Sequence, residues 1–332
     1  MENFTGVLDT RQDIELVKAN WNISELVAES APLNWKKKTA PELPHYPVWN
    51  QSKTSACVGF AKARQVSIRV FNLTGVWIDF SPASIYQLRA NKPKGGMNIA
   101  DANDIVNTQG VTLEALMKSQ NLNETQINAV ERTDVADLLA KGMAEAVVSY
   151  FYVPANIDRI AQTIEAGKAV SMLLFANSNE YSRAIPQVLD PNLTYENAPI
   201  RHEIVGVDYF LDSNGVKRIY INDSAHFGGF VTRELTEDFI EKRVILAEAI
   251  DIFSFNKDVP ETPKPRYDGS IISLQKCLQY EGLFPKNVAF VENFGPITQK
   301  AVMQFQVKYG LHPTGVPTVG PKTITKLKEL YP

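Results

Sequence analysis

The spacing of apolar residues along the chain changes near residue 145. Before that point, apolar positions recur at helical intervals in residues 56–72 (ACVGFAKARQVSIRVFN) and 98–111 (NIADANDIVNTQGV), where Gly110 is a candidate C-cap. After it, short β-branched or aromatic runs bounded by Gly, Asn or Asp predict strands: AVVSYFYV, AVSMLLFA, HEIVGVDYFLD and RIYIND. A helical half followed by a β-rich half predicts an α+β domain with an active-site cleft between two lobes.

A charged, proline-containing stretch interrupts this pattern at residues 256–269, NKDVPETPKPRYDG. Proline blocks regular backbone hydrogen bonding, so this stretch predicts a linker. Beyond it, residues 270–332 contain three short segments with apolar positions at helical spacing. They predict a small three-helix domain.

Composition fits one large core and one small core, since the chain has 332 residues, 44% hydrophobic and 21% charged. No run approaches the roughly 18 apolar residues that span a bilayer, and the N-terminal residues lack the basic and apolar regions of a signal peptide. We therefore expect no membrane insertion and no conventional signal peptide. A cytoplasmic protein, a chain that has lost its leader, and a phage protein released by lysis or carried on a virion all fit.

The two cysteines, Cys57 and Cys277, are too few for a disulfide framework and lie outside any zinc-ligand spacing. We therefore expect no structural metal and no cofactor. The net charge is −3, but residues 256–332 hold 10 Lys and Arg against 6 Asp and Glu, which gives them +4. A mildly basic C-terminal domain fits an anionic polymer such as cell wall, and it fits a solvated basic face equally well.

Cys57 lies where a polar loop, SKTSA, meets an apolar helix. A helix N-terminus carries partial positive charge, which stabilises a thiolate, the nucleophilic form of cysteine. His202 opens a predicted strand and is the candidate base, and either Asn222 or Asp223 at the end of the next strand could orient its ring. Without further context, a single cysteine is more often a buried small apolar residue. A zinc peptidase is excluded because no second histidine follows RHEIV at the required spacing.

Four ordered motifs resemble those of the papain and cathepsin family of cysteine peptidases. PVWNQSKTSACVGFA (47–61) resembles the family's nucleophile signature, HEIVGVDYF its histidine strand, and IYINDSAHFGG its Asn-Ser segment. The resemblance assigns Cys57 as nucleophile, His202 as base, Asp223 as orienting residue and Gln51 as oxyanion-hole donor. Gly95 and Gly96, at the start of GGMNIADANDIVNTQGV, resemble the diglycine stretch whose backbone pairs with substrate. His202 and Asp223 follow Cys57 by 145 and 166 residues, close to the roughly 130–150 that this family shows.

The resemblance also marks departures from the family and a start for its domain. LNWKKK around Trp35 resembles the start of the mature enzyme, so we expect an N-terminal extension at 1–32 and a papain-like two-lobed domain at 33–255. The extension is either a packing segment or a shortened inhibitory prosegment. Ala225 stands where the family has the tryptophan that follows its Asn-Ser pair, so we expect the orienting hydrogen bond of His202 to be less shielded from water.

The segment after the linker resembles peptidoglycan-binding domains, because residues such as Leu274, Gln275, Thr298 and Gln306 match positions of that family's motifs. The combined resemblance implies a thiol protease hydrolysing protein or peptide and held at bacterial peptidoglycan through residues 270–332. It implies no nucleic-acid partner, and a location at the cell wall, on a virion or after release by lysis. The alternative is an inactive peptidase fold serving as an adhesion or phage virion structural protein.

Overall fold

The computed structural model describes residues 4–20, 33–130, 146–255, 265–281, 283–284, 292–312 and 316–332. The described residues divide into two compact units. The first comprises residues 4–20, 33–44, 48–130 and 146–255, and the second comprises residues 45–47 and the described residues from 265 onward. Most of the predicted linker, residues 256–264, and residues 1–3 and 21–32 of the predicted extension lie outside the described residues.

Helices dominate the first part of the first unit, as the apolar spacing predicts. They are α1 (Arg11–Asn20), α2 (Cys57–Thr74), α3 (Pro82–Tyr86), α4 (Ile99–Gln109) and α5 (Glu124–Ala129). Gly75 caps the C-terminus of helix α2, and its φ of 70° lies in the left-handed region that glycine adopts without strain. The predicted helices at 56–72 and 98–111 are confirmed.

The second part of this unit is built on one sheet with a few short helices. The sheet takes one short strand from the N-terminal end of the chain, β1 (Phe4–Thr5). Its other strands are β2 (Ala146–Val153), β3 (Val170–Ala176), β4 (Ile200–Leu211), β5 (Lys217–Asn222), β6 (Thr232–Leu235) and β7 (Val244–Phe255). The helices between them are α6 (Ile157–Glu165), α7 (Ser178–Tyr181) and α8 (Glu237–Arg243). The four predicted strands are confirmed, and the α+β class with them.

The strand order is β2-β7-β3-β4-β5-β6, and β1 pairs with β4 in parallel. Strand β4 is therefore central, with β3 antiparallel on one side and β5 antiparallel on the other. One apolar cluster packs α2 and α4 against the sheet, and a second fills the space between the sheet and α6 and α8. The first cluster holds Cys57, so the start of α2 is anchored inside the core.

The described residues of the second unit contain three helices, α9 (Ile271–Tyr280), α10 (Pro296–Lys308) and α11 (Pro321–Leu330). Their apolar residues form a separate small core that includes Leu274, Cys277 and Phe305. Two buried glutamines tie the helices together: Gln275 Nε2 donates to Thr298 Oγ1 at 3.0 Å, and Gln306 Nε2 donates to Thr323 Oγ1 at 3.1 Å. The predicted three-helix domain is confirmed, and these glutamines serve its core.

Candidate active site

Cys57 is the first residue of α2 and is completely buried. The preceding residue, Ala56, is the N-cap and contributes no side-chain hydrogen bond, so the first amides of the helix keep their partial positive charge close to Cys57. A thiolate at this position is stabilised by those amides and by the helix dipole. The sequence-predicted location of Cys57 at a loop-to-helix junction is confirmed.

Strand pairing brings His202 and Asp223 together. His202 lies on β4, and the β4–β5 ladder pairs Val205 with Asn222, so the chain leaves β5 at Asp223 beside His202. His202 Nε2 lies 2.8 Å from Asp223 Oδ1, and both side chains are completely buried. The Asp223 carboxylate also accepts a hydrogen bond from the backbone amide of Ala225 at 2.8 Å.

Asn222, the other candidate to orient His202, does not hydrogen-bond to it. The Asn222 side chain is 4% exposed, and neither its oxygen nor its nitrogen has a hydrogen-bond partner. It lines a small pocket together with Trp49 and Glu203. Adjacent residues at a strand end point to opposite faces, which separates Asn222 from His202. The geometry therefore favours Asp223 over Asn222.

The surroundings of His202 favour its protonated form. Burial lowers the pKa of His202, but the negative charge and hydrogen bond of Asp223 and the nearby Cys57 side chain outweigh burial and raise the pKa to about 9. Burial alone would raise the pKa of Asp223. The charge and hydrogen bond of His202, together with the charge of Arg233, outweigh burial and hold that pKa below its usual range. Cys57, His202 and Asp223 thus lie together as one electrostatically coupled group, in which His202 and Asp223 are hydrogen-bonded.

Two aromatic rings enclose the His202 imidazole. Tyr181 and Phe227 lie edge-on to it, with ring centroids 6.2 and 6.1 Å away. Loss of the family's tryptophan led us to expect an orienting bond open to water. That expectation is wrong, because Tyr181 and Phe227 surround the ring and the histidine is fully buried. No local signal in the sequence connects Tyr181 with this histidine.

Sequence reasoning also missed Arg233, on β6. Its Nε lies 3.2 Å from Asp223 Oδ2, and both side chains are completely buried. Arg233 Nη2 donates to the Phe227 carbonyl at 2.6 Å, and its guanidinium lies 4.4 Å from the centre of the Tyr181 ring. An arginine in the short run TREL matches no motif, although a buried aspartate at 223 needs a nearby cation.

Gln51 is held in the turn that leads to Cys57. Ser224 Oγ donates to Gln51 Oε1 at 2.8 Å, and the backbone amide of Gln51 donates to the Ser224 carbonyl at 2.9 Å. The side-chain Nε2 of Gln51 donates to the Thr54 carbonyl at 2.9 Å. Because Ser224 fixes the side-chain oxygen, the Nε2 group has a defined orientation. It carries two hydrogens, and Thr54 uses one of them.

The predicted glycine pair lies beside a segment of the chain itself. Gly96 has a φ of 79°, and a Cβ at this position would lie 2.7 Å from Leu8 Cδ2. The backbone hydrogen bonds occur one residue later: the Met97 amide donates to the Gly6 carbonyl at 3.0 Å, and the Leu8 amide donates to the Met97 carbonyl at 3.2 Å. The diglycine stretch thus permits close approach, while Met97 makes the pairing.

The N-terminal segment, residues 4–9, covers the nucleophile. Its first residues pair with Ile200 and Arg201 of β4, directly before His202. A Cβ built on Gly6 would lie only 2.4 Å from Cys57 Sγ, so the backbone itself passes over the thiol. Val7 and Asp9 are completely buried. In this arrangement the segment occupies the space in front of Cys57 and belongs to the same compact unit as the sheet.

Cys277 has a different environment. It is buried in the core of the second unit, and burial, reinforced by Asp268 and Glu281, raises its pKa to about 12. Among the described residues, no group of three or more His, Cys, Asp or Glu could hold a metal ion. None of the described helices is long and apolar enough to cross a membrane.

Several solved structures are similar to this chain in fold. Xylellain, a cysteine protease from Xylella fastidiosa, superposes with a TM-score of 0.57 at 14% identity, covering 76% of this chain and 96% of xylellain. Bromelain from Ananas comosus (TM-score 0.46, 20% identity, 62% and 94% covered) and procathepsin L 3 from Tenebrio molitor larval midgut (0.48, 12%, 72% and 78%) also match. The similarity to xylellain establishes the fold: the first unit is papain-like.

The second unit has its own assignment. Residues 268–327 match the family model of the peptidoglycan binding domain. No curated protein sequence matches the chain. The protein thus combines a papain-like cysteine protease fold with a C-terminal peptidoglycan-binding domain.

Proposed function

We propose that the chain is a cysteine endopeptidase that uses Cys57, His202 and Asp223, and that its C-terminal domain holds it at bacterial peptidoglycan. One observation supports this most strongly: His202 Nε2 lies 2.8 Å from Asp223 Oδ1, and the Cys57 thiol at the start of α2 is near enough to the same imidazole to raise its pKa. A nucleophile, a base and a group that orients the base are the parts that covalent acyl transfer needs.

The reaction follows from these positions. The Cys57 thiolate attacks the scissile carbonyl carbon, and the charge that develops on the carbonyl oxygen is stabilised by the Gln51 side-chain amide and the Cys57 backbone amide. The His202 imidazolium donates its proton to the leaving amine as the C–N bond breaks. Water then attacks the thioester, His202 accepts its proton, and the acid product leaves with the thiolate–imidazolium pair restored.

We propose in addition that the N-terminal segment keeps the enzyme closed. The Gly6 backbone lies against Cys57 Sγ, and the segment takes the two backbone hydrogen bonds of Met97 that an extended peptide could use. A substrate carbonyl cannot reach the thiol until the segment leaves. The structural alternative, an inactive adhesion or virion protein, is an outcome of the tests below.

Hydrolysis of an internally quenched peptide tests the catalytic assignment. Cys57→Ala and His202→Ala should abolish turnover with no change in circular dichroism, because either change breaks the same catalytic unit. Cys277→Ala is the matched control, since it removes the other buried cysteine and should leave turnover unchanged. Each variant is also made together with Gly6→Ala, a change that should displace the N-terminal segment because a Cβ on Gly6 would clash with Cys57. A loss of turnover in this background cannot then be attributed to a cleft that the segment keeps closed. Turnover that persists in Cys57→Ala would contradict the proposal.

Sedimentation with purified cell-wall sacculi tests the location. A chain that stops at residue 255 should hydrolyse peptide as the full chain does but should no longer pellet with sacculi, because tethering changes only the local concentration. We favour protein near the wall as substrate over the peptide cross-links, which contain D-residues. If the shortened chain pellets as well as the full chain, the role of residues 268–327 in wall binding is wrong.

A further inference from the structure

Asp223 is a buried charge with two cationic neighbours on opposite sides. Oδ1 contacts His202 at 2.8 Å, and Oδ2 contacts Arg233 at 3.2 Å. An ionised carboxylate without exposure to water is strongly disfavoured unless it is paired. His202 alone cannot serve as that partner throughout the proposed cycle, since it gives up its proton to the leaving group.

Arg233 supplies a permanent positive charge, because a guanidinium is not deprotonated in proteins. With the proposed thiolate and imidazolium, the array then holds two negative and two positive charges. When the proton leaves His202, the carboxylate and guanidinium still balance each other. The Asp223–Arg233 pair therefore orients His202 as a neutral unit, which a single aspartate could not do.

The structure holds Arg233 in place for this purpose. Strand β6 pairs Arg233 with Ile221 of β5, two residues before Asp223. The Phe227 carbonyl accepts a hydrogen bond from Nη2 at 2.6 Å, and the Tyr181 ring lies under the guanidinium. These contacts come from two further parts of the chain and fix the cation beside the carboxylate.

We propose that Arg233 is a positioning residue for the proposed peptidase reaction, which keeps Asp223 ionised and cancels its charge, so that the Cys57–His202 ion pair forms near neutral pH. This inference rests on the proposed function. Arg233 does not touch substrate or the reacting atoms and acts through Asp223.

Opposite changes in the pH dependence follow from the charge balance. Arg233→Met leaves the Asp223 carboxylate with the His202 imidazolium as its cationic partner, which stabilises the imidazolium and opposes the thiolate, so both limbs of the kcat/KM profile should move to higher pH. Asp223→Asn leaves an unpaired positive charge, so both limbs should move to lower pH. The double variant removes both charges and should return the profile toward that of the wild type.

Other titratable groups face this pair and need a control. They are Tyr181 from α7, His226 from the loop after β5, and Cys57 from α2 through His202. His226 adopts a φ of 53°, which asparagine tolerates well. His226→Asn should leave both limbs in place, which would exclude His226 as the source of any shift.

The experiment measures kcat/KM between pH 4 and 10 for wild type, Arg233→Met, Arg233→Lys, Asp223→Asn and the double variant Asp223→Asn/Arg233→Met, all with Gly6→Ala. Near the wild-type optimum we expect the double variant to be about tenfold more active than Asp223→Asn, as coupled charges in contact commonly are. Arg233→Lys and Arg233→Met are similar in length, and only the lysine keeps the charge, so Arg233→Lys should stay closer to wild type.

A double variant no more active than Asp223→Asn, with profiles that do not shift in opposite directions, would overturn the inference. If Arg233→Met fails to fold, the comparison of Asp223→Asn with wild type still decides, because an unchanged pH profile would contradict the charge argument. Failure of the proposed function is separate: wild type and Gly6→Ala would then both lack turnover and would not react with a thiol-directed epoxide at Cys57.

Discussion

Replacement of Gly6 by alanine should open the active site. Gly6 lies over the candidate nucleophile, and a methyl group at this position would lie 2.4 Å from Cys57 Sγ and 3.1 Å from the Ser55 backbone oxygen. Rotation of the cysteine side chain relieves only the first contact. The alanine therefore disfavours the docked N-terminal segment while leaving His202, Asp223 and Gln51 unchanged.

The size of the effect follows from the overlap. Nonbonded heavy atoms meet at about 3.5–4.0 Å, so a carbon at the Gly6 Cβ position lies far inside contact distance. One extra methyl in a well-packed site costs about 1–3 kcal/mol. Since about 1.4 kcal/mol changes an equilibrium tenfold, the open form should gain about five- to 150-fold relative to the docked form.

The assay is kcat/KM on an internally quenched peptide at pH 7, with thermal unfolding measured in parallel. Gly6→Ala should exceed wild type by a factor in that range, up to the limit of a fully open enzyme. Gly320→Ala is the control, because a Cβ there meets no atom within 4 Å. An activity equal to or below that of wild type, in a folded variant, would refute the view that the segment blocks the site.

Three further predictions concern neighbouring residues. Burial, opposed by the Ile99 amide and reinforced by Glu203, raises the pKa of Asp9 to about 7, so docking of the segment is most favoured below about pH 4 and weakens as the pH rises to 7. In the Asp9→Asn variant the side chain stays neutral, so the N-terminal segment should remain docked at high pH. Its kcat/KM should be lower than that of wild type at pH 8 and similar at pH 5. Asp223→Ala should lose most of the rate while Asn222→Ala keeps it, and the reverse result would move the orienting role to Asn222. Gln51→Ala should lower kcat by about 10²–10³ if its amide is an oxyanion donor, with little change in KM.

Periodicity predicted the elements that carry the site, because each has a clear local pattern. Helix α2 has apolar residues at helical spacing after a polar loop, and β4 and β5 are bounded by turn residues. Once β4 and β5 are paired as antiparallel neighbours, Asp223 must come close to His202. The contact between these two residues could therefore be anticipated from the sequence.

Long-range partners could not be predicted in the same way. Helix α8 runs directly into β7 at Val244 without a turn residue, so the sequence carries no boundary there. The pairing of β1 with β4 joins residues almost 200 positions apart. Gly6 reaches the site only through this pairing, whereas Arg233 reaches it through the neighbouring β5–β6 ladder, and neither residue has a local pattern that marks it.

The most direct test of the account is the rate at which a thiol-directed epoxide inhibitor modifies each cysteine, read by peptide mass spectrometry. Cys57 should react rapidly in Gly6→Ala and more slowly in wild type, and it should lose this reactivity when His202→Ala is added. Cys277, buried with its pKa raised to about 12, should remain unmodified in every variant. Equal and slow modification of Cys57 and Cys277 in the Gly6→Ala variant would contradict the assignment of Cys57 as an activated nucleophile.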